Sequence, residues 1–174
     1  MKLADYDDHQ VAPLNWYFTA DPQNTWGKDN WGKKALMEMR ARWQKIRIGA
    51  PGKNQGRRFG GDFRDLMKNR DGVGYYGVGL KIDPAWKGKE VFLIFDATYE
   101  CVRVYVNGKS AADLRYSKDM GRDRPIAVPI TETIDWGCRY QTVVIHVEDK
   151  AGQGGIWRPV MLAARKRSME SKNR

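Results

Sequence analysis

The sequence is poor in the residues on which most site chemistry depends. It holds two cysteines and two histidines in 174 residues. Cys101 and Cys138 cannot build a disulfide framework; they fit a reduced compartment or one optional bridge. His9, Cys101, Cys138 and His146 are scattered and show no zinc-ligand spacing. The serines are Ser110, Ser117, Ser168 and Ser171, and none sits in a Gly-x-Ser-x-Gly elbow. A complete phosphate-binding loop, Gly-x-x-x-x-Gly-Lys-Ser/Thr, is absent. So is any run of about 18 apolar residues, and no helical membrane span is expected. The first residues, Met1 to Asp5, lack the apolar core of a secretory signal; a signal already removed, or carried by a longer parent chain, stays open. No cofactor is expected. A structural calcium stays open, because loop carbonyls can supply most of its ligands.

What the chain does have is positive charge. Lys and Arg number 31 against 21 Asp and Glu, for a net of +10. The surplus is local. Arg40 to Arg70 holds ten basic and two acidic residues, and Arg165 to Arg174 holds five and one. Two basic patches favour a polyanion contact more than general solubility does, although a solvated loop and tail would look the same. With 41% apolar and 30% charged residues the chain reads as one ordinary globular domain. The expected division is a single domain over residues 1–164 with a basic tail over 165–174.

The first seventy residues read as irregular, with a turn at Asp21-Pro22-Gln23-Asn24, a short helix over Lys33 to Arg42 and a short strand at Ile46 and Ile48. Residues 51–70 read as a long loop rich in Gly and Arg. After Asp71-Gly72 the period becomes two. Tyr76, Val78, Leu80 and Ile82 share one face of a strand, and Val91 to Phe95 is a continuous buried run. Val102, Val104 and Val106 alternate up to Asn107-Gly108, a strong hairpin signal. Val143, Ile145 and Val147 point inward on a further strand, with Thr142, Val144, His146 and Glu148 outward. Short strands close the set at 125–130 and 160–163. Some six strands with almost no helix predict an all-β, antiparallel β-sandwich with an irregular N-terminal lead-in.

Seven Trp and eight Tyr suggest the ligand class. Sugars present flat C–H faces and rings of hydroxyls; an indole covers the first, and polar side chains bond the second. Trp26, Trp31, Trp136 and Trp157 lie in or beside turns, where they can reach a ligand. Trp16, Trp43 and Trp86 read as packing residues.

Several motifs occur in a telling order: Asp71-Gly72-Val73-Gly74-Tyr75-Tyr76, Trp86 to Phe95, Val104-Tyr105-Val106-Asn107-Gly108-Lys109, Pro129-Ile130-Thr131, and Gly154-Gly155-Ile156-Trp157-Arg158-Pro159. Together they resemble the sugar-binding jelly-roll domain, galactose-binding-like, at the front of family 2 glycoside hydrolases such as β-galactosidases. The match is best over 71–164. At Gly77 the chain departs from the pattern, where the family often has Arg after the aromatic pair. The resemblance implies a jelly-roll sandwich, an extracellular or periplasmic setting, and loops facing a ligand near Tyr116, Arg122 and Arg124. Arginine forks match carboxylates, so the ligand it implies is an acidic polysaccharide held by Tyr116, Arg122, Arg124, Trp136 and Trp157. In that enzyme family the catalytic carboxylates belong to a separate barrel of about 250 residues, which this chain is too short to add.

The expected function is therefore a non-catalytic carbohydrate-binding module or accessory domain of a glycoside hydrolase, with carbohydrate and a neighbouring catalytic domain as partners. The alternatives are a structural domain packing on a neighbour, or a nucleic-acid binder through residues 40–70 and the tail. The latter lacks a recognisable nucleic-acid motif.

Overall fold

Alternation along the strands leaves each one with an apolar side to bury, and two sheets do so against each other. In the computed structural model, residues 3–21, 33–48, 72–95, 98–99, 101–114, 125–149, 155–156 and 158–167 are described. The elements are β1 (Asp8–Val11), β2 (Asn15–Asp21), α1 (Lys33–Arg42), β3 (Gln44–Arg47), β4 (Gly72–Leu80), β5 (Glu90–Phe95), β6 (Thr98–Tyr99), β7 (Cys101–Val106), β8 (Lys109–Leu114), β9 (Ile126–Pro129), β10 (Gln141–Asp149), β11 (Gly155–Ile156) and β12 (Val160–Arg165). One sheet has the order β1-β12-β5-β9 and the other β3-β2-β4-β10-β7-β8; β6 and β11 form a small ribbon. All pairings are antiparallel. The chain passes from β4 to β5, back to β7 and β8, across to β9 and back to β10, which is the crossing connectivity of a jelly-roll sandwich.

The core between the sheets follows the expected period. Val102, Val104, Val106, Val143, Ile145 and Val147 are buried there, with Tyr76, Val78 and Leu80 from β4 and Val91, Leu93 and Phe95 from β5. Phe18 meets Tyr76 edge to face at 5.0 Å between ring centres. Trp16 and Trp86 are buried in the same core, as expected of packing residues.

Two expectations need correction. The described part of the lead-in is not irregular: β1 pairs with β12 and β2 with β4, so both belong to the sandwich. Strand β2 hid its period because both its faces are aromatic. Trp16 and Phe18 enter the main core, while Tyr17 packs on the other side. Strand β1 hid because Asp8-His9-Gln10 is polar, as suits an edge strand. The second correction concerns β10. Thr142, Val144 and His146 are buried, not outward in solvent. For Val144 the reason is α1, which packs across β2, β4 and β10 on the outer face of the six-stranded sheet. There Met39, Trp43, Val73, Tyr75 and Val144 make a second, smaller core. Gly77 makes this possible: a Cβ there would overlap Met39 Sδ and come within 3.0 Å of Trp43.

Candidate functional site

At one end of the sandwich the β7–β8 hairpin meets the loop that leads into β10. Asn107 and Gly108 close the hairpin with φ of 53° and 83°, a tight turn that needs both residues in the left-handed region. The Asn107 side chain then ties the hairpin to the loop. Its Nδ2 donates to the Thr133 carbonyl at 3.0 Å and to Gln141 Oε1 at 2.6 Å, and its Oδ1 accepts from the Thr142 amide at 3.0 Å. Buried Gln141 extends the tie. Its Oε1 accepts from the Asp135 amide at 2.8 Å, and its Nε2 donates to the carbonyls of Asp135 (2.9 Å) and Cys138 (3.1 Å). Asp135 in turn accepts from the Gly137 amide at 3.0 Å and from the Cys138 thiol at 3.0 Å. The turn expected at Asp135-Trp136-Gly137 is thus held at both ends.

This framework shapes a cleft of about 340 Å³, lined by Asn107, Lys109, Thr133, Ile134, Asp135 and Trp136. That lies at the small end of the range for small-molecule sites, with the usual mixture of apolar surface and a few polar groups. Trp136 is half-buried, packed against the main core on one side. Lys109 is exposed and brings a cation. An indole, an ammonium group and backbone or side-chain oxygens can together take a sugar ring.

Of the expected site residues, Trp136 is in this cleft. Tyr116, Arg122, Arg124 and Trp157 lie outside the described residues, as do Trp26 and Trp31 and residues 51–70. Sequence reasoning took Asn107 and Asp135 as turn formers and missed that they face one cleft; the link is Gln141, for which the sequence carries no signal. His146 needs correction too. It is not a surface histidine but lies 2% exposed under the outer core, edge-on to Tyr75 at 5.1 Å. Burial, and then the nearby Arg103, hold its imidazole below the ordinary histidine range. Burial likewise pushes the Tyr75 phenol up, with Asp21 adding to the shift. Cys138 is a free thiol. Cys101 lies at the opposite end of β7 from the hairpin, about 17 Å away at ~3.4 Å per residue, too far for a bridge. Among the described residues no group of three or more His, Cys, Asp or Glu could hold a metal ion. Nor is any helix there long and apolar enough to cross a membrane.

No protein-family model and no curated protein matches the sequence. Solved structures do match the architecture. A glycosyl hydrolase family 2 member from Bacteroides cellulosilyticus is 19% identical, with a TM-score of 0.64 over 91% of this chain and 21% of its own. The β-glucuronidase of Ruminococcus gnavus, solved with uronic isofagomine, gives a TM-score of 0.70 at 15% identity over 92% of this chain and 29% of its own. The same enzyme with D-glucuronic acid gives 0.69 at 16% identity, over 92% and 30%. The chain shares its fold with these enzymes. The chain spans less than a third of the length of these enzymes. The family resemblance in the motifs over 71–164 and the match in fold agree, and the fold match extends into the N-terminal strands.

Proposed function

We propose that the chain is a non-catalytic carbohydrate-binding or accessory domain of a glycoside hydrolase, and that it takes a sugar unit of an acidic glycan in the Trp136 cleft. The observation that carries this reading is the cleft itself: a half-buried indole beside an exposed ammonium group, on a loop fixed by the Asn107–Gln141 network. Rigid support matters, because a site that is ordered before binding loses less entropy on binding. The share of the family 2 enzymes that the chain spans supports an accessory role. Lys109 favours a carboxylate, through a charge-assisted bond that salt weakens.

The test is calorimetry with uronic-acid and neutral oligosaccharides at two salt concentrations. We expect tighter, salt-sensitive binding of the acidic series, and about tenfold weaker binding by Trp136→Ala, the equivalent of ~1.4 kcal/mol. Equal affinity for both series without salt dependence removes the acidic preference. Binding of neither series favours a domain that packs on a neighbour.

A further inference from the structure

The outer face of the six-stranded sheet holds a feature that the cleft does not use. Strand register lines up Thr19, Tyr75, His146, Arg103 and Asp113 across five strands. In the middle of that row His146 is 2% exposed, and neither ring nitrogen has a hydrogen-bond partner among the described residues. Buried polar groups are nearly always satisfied, so such an imidazole is held in a costly state. The groups around it come from every neighbouring strand. Tyr75 faces it from β4, and Arg103 stands opposite it on β7, paired with Asp113 of β8 at 3.3 Å. Glu148 of β10, Asp113 and buried Asp21 of β2 favour its charged form; burial and Arg103 oppose it and prevail.

Among the described residues the cover over this face is one short element. Helix α1 is ten residues long, shorter than a helix that is stable alone. It contributes the uncharged Met39, with Trp43 just beyond its end, 6.4 Å from Tyr75 between ring centres. Its Glu38, Arg40 and Arg42 are exposed. A short helix held by a few side chains is the kind of unit that opens locally while a main core stays closed.

We propose that His146 is a proton latch for this cover: when the imidazole takes a proton from solvent, α1 and Trp43 lift from β4 and β10, and the sheet presents Tyr17, Tyr75 and Tyr105 as an exposed aromatic face. The sign follows from the neutral form being the one the closed state holds. In the open state the imidazole titrates near its ordinary value of about 6.5. The closed state therefore keeps its full advantage above that pH, loses it as pH falls below, and stops losing once the closed form is protonated as well. One proton changes the opening constant by at most about tenfold per pH unit.

Hydrogen–deuterium exchange of the whole chain between pH 7.5 and 5, corrected for intrinsic rates, tests the latch. We expect opening of peptides within 33–48 to rise several-fold below pH 6.5, while peptides within 90–95 and 160–165 stay protected. His146→Phe should remove that pH dependence. Opening that ignores pH, that persists in His146→Phe, or that involves the whole sandwich at once overturns the proposal. If His146→Phe does not fold, exchange at the imidazole C2 position of the wild-type chain decides instead. His146 should exchange more slowly than exposed His9 at pH 7.5 and close that gap, relative to His9, in step with the opening of the α1 amides. A His146 that exchanges freely while α1 stays protected overturns it equally.

Discussion

The two cores of this molecule are built on opposite terms. The one between the sheets is dominated by aliphatic residues from both sheets, strand against strand, and every valine of β7 reaches it. The one outside the six-stranded sheet is a handful of residues, Met39, two valines and aromatic rings, under a single short helix, with His146 beside it. The first is held by many independent contacts, so any one is a fraction of the whole. The second depends on the fit of one helix over Gly77 and Gly79. Stability across the molecule should accordingly be uneven, high at β5, β7 and β10 and low at α1.

Three substitutions sharpen this contrast. The largest effect should come from Ile145→Ala, which empties a fully buried position of the main core. A loss of about 2–5 kcal/mol is expected, read by urea denaturation as a single transition moved to lower urea. If the transition instead splits, the two cores are not ranked as described. Gly77→Val comes next. Its side chain would displace Met39 from the sheet, at a cost of about 1–3 kcal/mol. The loss should show mainly as faster exchange in 33–48, and Met39→Ala should restore part of it. Smallest is Glu38→Ala, which breaks an exposed pair with Arg42 at 3.8 Å on the helix surface. Less than about 0.5 kcal/mol is expected by the same denaturation, because surface pairs are screened. A larger loss would mean that α1 is held by charge and not by its seat on Gly77.

Legibility followed from how local each signal was. The period-two runs of β4, β7 and β10, the apolar run of β5 and the Asn107-Gly108 turn each state their structure within a few residues. The helix over Lys33 to Arg42 was visible for the same reason. Strand β2 was not, because aromatic residues on both faces erase the alternation that marks a half-buried strand. Nor was the burial of His146 legible: its ring neighbour Tyr75 comes from a strand some seventy residues earlier in the chain. Gly77 showed only as a departure from a family pattern, and its packing reason needed the helix in place. At the cleft, Trp136 could be picked as a loop aromatic, whereas the Gln141 clamp that orders its loop ties it to the distant Asn107 hairpin and leaves no sequence mark.

The pairing of β1 with β12 reaches further than the sheet it completes. Asp8 lies opposite Ala164, so the first strand finds its partner only when nearly the whole described chain has been made. Contacts of such long sequence separation slow folding, since the chain pays closure entropy before the contact returns anything. On the ribosome, β1 must wait as an unmatched edge until β12 has emerged. The polar Asp8-His9-Gln10 stretch, weak as a strand signal, suits that wait: it gives a nascent chain little to aggregate with.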